Sequence, residues 1–154
     1  MRKSLLIVTH MPSPNTRLLG EAVLRGAQHP DIEQVDSTLV SPFDATHESV
    51  LAADGIILGT TENFGYMSGA LKDFFDRIYY QVLEKKQGMP YALYVRAGLD
   101  GSGTITAVQR IITGMRWRDI SEPLLCHGDY RADFETRCEE LGTLMAASLD
   151  AGIA

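Results

Sequence analysis

Cysteine is scarce in this chain of 154 residues. Its two cysteines, Cys126 and Cys138, are spaced neither as zinc ligands nor as a redox pair. Both lie within apolar patterns, which predicts buried free thiols. A chain with this cysteine usage suits a reducing compartment, and we expect it in the cytoplasm.

Long apolar runs and an excess of basic residues are also missing. No apolar run approaches the length of a membrane-spanning helix, so we expect no membrane insertion. The segment Leu5–Val8 follows two basic residues, as the apolar part of a signal peptide does, but it ends after four residues and predicts a first strand instead. The net charge of −6 disfavours nucleic acid and anionic membranes as main partners.

The motifs of two common classes of nucleotide site are absent as well. Neither G-x-x-x-x-G-K-[S/T] nor G-x-G-x-x-G follows the first predicted strand. This removes the main support for nucleoside triphosphate binding and for dinucleotide binding of those types. We also predict no metal ligands.

Short apolar segments alternate with helical patterns along the chain. The predicted strands are Leu5–Val8, Ile32–Thr38, Ile56–Leu58, Tyr91–Val95 and Glu122–Cys126. The predicted helices cover residues 17–28, 48–53, 69–84 and 104–115 and a last segment with Asp133 as its N-cap. Such alternation indicates a parallel sheet covered by helices on both faces, with right-handed crossovers. Without a repeat, linker or low-complexity tract, we expect one domain over residues 1–154.

The most informative stretch runs from Gly59 to Arg77, directly after the third predicted strand. Its first part is a loop that offers hydroxyls, an amide and aromatic rings, which suits a flat, partly polar ligand as well as it suits an ordinary connection. Its second part is a helix whose apolar residues fall at i, i+3, i+4 and i+7: Leu71, Phe74, Phe75 and Ile78. Ser68 is the predicted N-cap of this helix, and Gly88 is its predicted C-cap.

Open α/β sheets bind ligands outside the carboxyl ends of their strands. Three loops are expected there, at Thr9–Thr16, Thr60–Ser68 and Arg96–Gly103. The first opens a helix, so the free amides and dipole of that helix and the neutral donors of the loop suit a phosphate monoester. These donors are Ser13, Asn15 and Thr16. Alternatively, Asn15 or Thr16 merely caps the helix.

These residues resemble those of a known family. Residues Asn63 to Arg77 read N-F-G-x-M-S-G-A-L-K-x-F-x-D-R, which resembles the second flavin loop of flavodoxin-like quinone and FMN reductases. Ser13-x-Asn15-Thr16 is similar to the phosphate loop of the NADPH-dependent FMN reductase branch. The resemblance implies an α/β, flavodoxin-like three-layer sandwich with a five-stranded parallel sheet of order 2-1-3-4-5. The chain departs from the pattern at Pro12 and Pro14, each of which removes an amide donor from the phosphate loop.

The resemblance implies one FMN per subunit, with NADH or NADPH as co-substrate. The FMN phosphate would lie on residues 10–16, and the ring between residues 60–66 and residues 96–103. The implied cofactor-binding residues are His10, Ser13, Pro14, Asn15, Thr16, Thr60, Thr61, Glu62, Asn63, Phe64, Gly65, Arg96, Ala97, Gly98 and Gly103. A nicotinamide can pass hydride directly to the flavin, so we nominate no catalytic side chain. Family members often form homodimers or homotetramers, and Tyr79 and Tyr80 are candidates for such a contact.

Three of the implied residues carry specific hypotheses. Gly65 would let the backbone approach the ring closely, or change its peptide orientation with the redox state. Glu62, if it lies near the pyrimidine edge of the ring, would make an anionic reduced flavin less favourable. Arg96, if it lies near the ring, would do the opposite.

The first hypothesis is therefore an FMN-dependent oxidoreductase that takes hydride from NADH or NADPH and reduces a quinone, another small-molecule acceptor or FMN itself. The second is a flavodoxin-type electron carrier that a partner protein reduces. A phospho-receiver domain would need acidic residues after the first strand and an aspartate at the end of the third, where this chain has Thr9-His10 and Gly59-Thr60. A flavodoxin-like domain that has lost its flavin stays open because of the two prolines.

Overall fold

The computed structural model describes all residues from Met1 to Ala154. Strands and helices alternate along most of the chain. Their bounds are β1 Lys3–Thr9, α1 Pro14–Ala27, β2 Val35–Val40, α2 His47–Ala52, β3 Gly55–Asn63, β4 Tyr66–Met67, α3 Gly69–Val82, β5 Pro90–Ala97, α4 Ser102–Met115, β6 Arg118–Asp119, β7 Leu124–His127 and α5 Ala132–Asp150. No helix is both long enough and apolar enough to cross a membrane.

The sheet confirms the predicted strand order. Strands β2, β1, β3 and β5 lie side by side and pair in parallel, and β7 pairs in parallel with the carboxyl half of β5. The fifth position differs from the prediction, because the two-residue strand β6 pairs with the first residues of β5 before β7 begins. Pro123 lies in the interruption between β6 and β7, and a proline has no N–H for a ladder hydrogen bond. The added strand β4 folds back on β3 as an antiparallel hairpin.

The buried side chains form two clusters, one on each face of the sheet. Along β1, Leu6 and Val8 pack on the side of α2, α3 and α4, whereas Leu5 and Ile7 pack on the side of α1 and α5. This alternation explains why the first strand is a continuous apolar run, since both faces of a parallel sheet are covered. The predicted apolar face of α3 is buried as well.

Both cysteines confirm their prediction, since Cys126 and Cys138 are free and buried in the cluster beneath α5. The hydrogen bond from Cys126 and the burial of the thiol together raise the pKa of Cys138. Cys138 therefore stays a protonated, apolar part of the core at neutral pH.

Two predicted helix ends lie elsewhere in the structure. Helix α3 ends at Val82, because Glu84 takes a left-handed conformation at φ 66° and Gly88 turns the chain only later, at φ 80°. Helix α5 starts after Arg131, so Asp133 lies in the first turn and is not the cap. The helix dipole favours an acidic residue in the first turn of a helix. Asp133 therefore indicated the start of α5 correctly in the sequence, but it lies two residues after the N-cap.

Helices α1 and α5 cross closely through two glycines. A Cβ atom at Gly26 would overlap the carbonyl oxygen of Glu139, and one at Gly142 would overlap that of Val23. The hydroxyl of Thr143 donates a hydrogen bond of 2.9 Å to the carbonyl of Gly26. The two backbones therefore touch where other helices interpose side chains.

On the outer face of α3, Tyr80 is 81% exposed and its ring packs edge-on against Tyr79. Such an aromatic surface is compatible with the predicted subunit contact. The oligomeric state stays a prediction.

Replacement of Gly142 by alanine is expected to destabilise the fold by roughly 1–3 kcal/mol, because the new methyl group must displace a backbone carbonyl. The gain in helix propensity, about 1 kcal/mol, offsets only part of this cost. Gly69→Ala is the matched control, since a Cβ atom there meets nothing within 4 Å. Urea unfolding measures both variants, and equal stabilities would contradict the close crossing.

Candidate functional site

Three loops leave the sheet side by side at its carboxyl edge. The last residue of β1, Thr9, pairs with Gly59 of β3, and Thr61 of β3 pairs with Arg96 of β5. The loops after β1, β3 and β5 are therefore neighbours, as predicted. This is the edge at which open α/β sheets bind ligands.

The first loop ends in a reciprocal cap of α1. The N–H of Thr16 donates to Oγ of Ser13 at 3.2 Å, and the N–H of Ser13 donates to Oγ1 of Thr16 at 3.0 Å. Ser13 is thus the N-cap, and the alternative of capping by Asn15 or Thr16 is confirmed only in part, because Thr16 completes the capping box and Asn15 takes no part in it. Pro14 explains the difference, because proline favours the first helical position.

Several groups at this helix end stay free of internal partners. The side chain of Asn15 is exposed, and its N–H donates no hydrogen bond within the chain. The first turn of α1 contains no acidic residue. An open, acid-free helix N-terminus favours an anion. Pro14 removes a donor here, but an N–H at the first helical position has no partner in the helix anyway.

His10 lies between β1 and this helix end. Its N–H donates to the carbonyl of Gly59 at 3.1 Å, which joins the first loop to the end of β3. Partial burial of the imidazole lowers the pKa of His10. The side chain is therefore a neutral donor or acceptor at neutral pH.

Below the first loop, Thr9 and Tyr94 form a buried hydrogen bond of 2.5 Å between their hydroxyls. A Cβ atom at Gly59 would overlap both side chains. Burial strongly raises the pKa of Tyr94, so its hydroxyl stays protonated. Glycine at position 59 therefore allows the side chains of Thr9 on β1 and Tyr94 on β5 to meet across β3 at the ligand edge.

The second loop is a hairpin of β3 and β4. Asn63 pairs with Tyr66, and the two residues between them, Phe64 and Gly65, have φ values of 55° and 74°. Positive φ at both central residues is typical of a type I′ turn. The side chain of Phe64 is fully exposed. The turn thus presents an aromatic ring and a glycine backbone to the outside.

Most polar groups of this hairpin bond within the chain. Oγ1 of Thr60 is buried and accepts the N–H of Ser68 at 2.9 Å. The hydroxyl of Thr61 donates to Oδ1 of Asn63 at 2.9 Å. Ser68 in turn caps α3, as predicted, by accepting the N–H of Leu71 at 3.1 Å. The hydroxyl of Thr60 therefore shapes the loop and is not directed to a ligand.

The third loop is shorter than predicted, because Arg96 and Ala97 still belong to β5 and Gly103 already belongs to α4. Arg96 extends towards α5, where its guanidinium donates to the carbonyl of Cys126 at 3.1 Å and lies 5.3 Å from the ring centre of Phe134. Gly98 has open space around its Cα. Ala97 is buried in the core and presents no side chain to the edge.

A carboxylate links the second and third loops. Oε2 of Glu62 accepts the N–H of Gly101 at 2.8 Å. In addition, Oγ1 of Thr104 donates to the carbonyl of Tyr66 at 3.0 Å. Sequence reasoning missed Gly101 and Thr104. The small residues around Ser102 were the one available signal, since such runs allow close backbone approach.

The carboxyl edge is an open surface and not an enclosed pocket. The five main cavities lie elsewhere, the three largest of about 340 to 460 Å³ beside α5 and between α3 and α4, and none is lined by residues of the three loops. No group of three or more His, Cys, Asp or Glu side chains could hold a metal ion. The available donors suit a phosphate at α1 and a flat ring against the hairpin, so the chemistry of the edge fits FMN.

The strand order and the converging loops define the flavodoxin-like class of α/β proteins. Residues 14–124 match the family of NADPH-dependent FMN reductases. The chain belongs to this family, which confirms the predicted resemblance.

The chain is also similar to a curated relative, a flavodoxin from Aquifex aeolicus (strain VF5). The two are 30% identical over 108 residues, which cover 70% of this chain and 57% of the relative. The chain therefore spans little more than half the length of that relative.

Solved structures share the fold at low sequence identity. A flavodoxin from the domain Archaea superimposes with a TM-score of 0.80 at 20% identity, over 95% of this chain and 98% of that one. A flavodoxin, WrbA-like protein from Agrobacterium tumefaciens superimposes with a TM-score of 0.73 at 15% identity, over 100% of both chains. At these identities the likeness establishes the architecture.

Replacement of His10 by asparagine is expected to make the fold less sensitive to acid. Below the unfolded pKa of about 6.5, the unfolded chain binds a proton that the folded chain resists, so the wild type loses stability as the pH falls. The variant has no imidazole at this position, so it does not lose stability through protonation there. Urea unfolding of both proteins between neutral pH and about pH 5 tests this, and parallel stability curves would contradict it.

Proposed function

We propose that the carboxyl edge binds FMN, with the phosphate at the N-terminus of α1 and the ring against the β3–β4 hairpin. The observation that carries the proposal is the juxtaposition, on neighbouring strands, of an acid-free helix N-terminus and a turn with an outward aromatic residue. Family membership supports it. The bound flavin would supply the capacity to accept and donate hydride or single electrons.

At the phosphate end, the free N–H and side-chain amide of Asn15 are donors for phosphate oxygens. Ser13 and Thr16 hold each other, so they position the backbone of the turn and contribute less as direct ligands. His10 is available as a further neutral donor beside them. This division implies that a phosphate replaces water at the helix end without breaking the cap.

At the ring end, Phe64 and Tyr66 supply aromatic faces, and Gly65 lets the backbone come close to the ring. The carboxylate of Glu62 stays bonded to Gly101, so its first role is to join the two loops that flank the ring. We also propose that this carboxylate makes an anionic reduced flavin less favourable. Arg96 lies over the rings of α5, so a direct contact with the flavin would require its guanidinium to leave Cys126.

Replacement of Asn15 by aspartate tests the phosphate site. The new carboxylate repels a phosphate but suits the first turn of a helix, so the fold should stay intact. We expect FMN affinity to fall at least about tenfold, the equivalent of 1.4 kcal/mol, whereas the affinity for riboflavin, which lacks the phosphate, stays unchanged. Quenching of flavin fluorescence in titrations measures both affinities.

The control for this charge change is Gln28→Glu, which adds a carboxylate at the opposite end of the same helix. This variant should bind FMN as the wild type does. Equal FMN affinity for Asn15→Asp and wild type would place the phosphate elsewhere. Failure of the wild type to bind either flavin would favour a domain that has lost its cofactor.

We further propose that the protein is an oxidoreductase that takes hydride from NADH or NADPH and passes electrons to a quinone or another small acceptor. With the ring against the exposed turn at Phe64, its other face would be accessible to a second planar molecule. The bound flavin and the nicotinamide would supply the hydride chemistry, so the chain would have to align and shield their rings and need not supply an acid or base. The family description supports the choice of a reductase.

An electron carrier without its own nicotinamide reaction is the second candidate. The observation that favours it is the 30% identity to a flavodoxin. Anaerobic mixing of the FMN-loaded protein with NADH or NADPH distinguishes the two. A reductase should bleach the visible absorption of its flavin within seconds and recover it when a benzoquinone is added. A carrier should keep its oxidised spectrum with either nucleotide and bleach only with a protein reductase, and that outcome would reject the enzymatic proposal.

A further inference from the structure

The turn at Phe64-Gly65 is held in a conformation that Phe64 does not favour. A phenylalanine at positive φ costs free energy, because its Cβ atom crowds the backbone. Its ring is fully exposed and so makes no compensating contact with the chain. The hairpin is also short, since β4 has two residues, and an isolated short hairpin is only marginally stable. Another part of the molecule must therefore hold the turn.

The N-terminal end of α4 meets the hairpin at three successive places. Gly101 donates its N–H to Glu62 on β3, and Thr104 donates its hydroxyl to the carbonyl of Tyr66 on β4. Between these bonds, the Cα of Gly103 lies directly against the turn, because a Cβ atom there would stand 2.5 Å from the carbonyl oxygen of Gly65. The contacts thus reach both arms of the hairpin and its tip.

Burial and core packing hold these contacts between α4 and the hairpin in place. Thr104 is completely buried, so its hydrogen bond is shielded from water. Helix α4 is itself fixed to the core by Val108, Ile112 and Met115. A helix anchored over its whole length can hold a strained turn in one position, and a turn held in this way is pre-organised for a ligand.

We infer that Gly103 and Thr104 are positioning residues, which fix the Phe64-Gly65 turn at the height and tilt that a bound flavin ring requires. The inference rests on the proposed function, since it assumes that the ring lies on this turn. It adds that the affinity for the ring depends on the first turn of α4, through the contacts of that turn with the hairpin. The phosphate end at α1 should be unaffected.

Replacement of Thr104 by valine removes the hydroxyl that donates to the carbonyl of Tyr66 and keeps the shape of the side chain. We expect the affinities for FMN and riboflavin to fall by the same factor, about threefold to tenfold, and the visible spectrum of the bound flavin to shift. Thr104→Ser restores the hydroxyl and should restore both affinities and the visible spectrum. Thr106→Val makes the same chemical change at an exposed position of the same helix and should change neither the affinities nor the visible spectrum.

Gly103→Ala provides a second variant, whose methyl group must push the carbonyl of Gly65 away. This variant should also lower the affinities for FMN and riboflavin by the same factor. Titrations are made at a temperature at which circular dichroism shows every variant to be folded. Wild-type affinities in Thr104→Val and Gly103→Ala would overturn the inference while leaving the proposed function intact. Absence of flavin binding by the wild type itself would overturn both.

Discussion

The pairing of β3 with both of its neighbours is the constraint on which the sheet and the candidate site depend. Strand β3 bonds along its length to β1 on one side and to β5 on the other, and its first six residues are buried. Beyond the sheet the same strand continues as one arm of the hairpin. Gly59 stands where these functions meet, because any side chain there would force Thr9 and Tyr94 apart. The spacing of the core therefore sets the spacing of the first and second loops.

The polar groups of the edge divide into two sets with different roles. One set bonds within the chain: Ser13 with Thr16, Thr60 with Ser68, and Glu62 with Gly101. These bonds fix the loops before a ligand arrives, so that binding loses little conformational entropy. The other set faces outward and consists of the amide groups of Asn15 and the aromatic residues of the turn. In the proposed FMN site, recognition would fall to this second set, while the hydroxyls of Ser13, Thr16 and Thr60 hold the loops in place.

The sequence predicted what local patterns determine and missed what long-range contacts determine. Buried strands, the apolar face of α3 and its cap at Ser68 follow from periodicity and propensity over a few residues. Capping of α1 was expected from Asn15 or Thr16, whereas Ser13 is the N-cap and Thr16 its reciprocal partner, because three neighbouring residues can all act as caps. The bonds from Gly101 to Glu62 and from Thr104 to Tyr66 span 39 and 38 residues, and no local signal could reveal them.

The distribution of acidic residues supports the proposed placement of the phosphate at α1 and not at another helix. Helices α1, α3, α4 and α5 all begin at the carboxyl edge, and each N-terminus attracts an anion through its dipole. In α5, Asp133 and Glu135 already occupy the first turn and offset that attraction. In α3 and α4 the first turns contain no acid, but each N-terminus is already engaged: Ser68, the cap of α3, is completely buried, and the carboxylates of Glu62 and Asp100 bond at the start of α4. At α1 no carboxylate bonds to the cap and the residues around it are exposed, so an anion would reach its amides without displacing part of the protein.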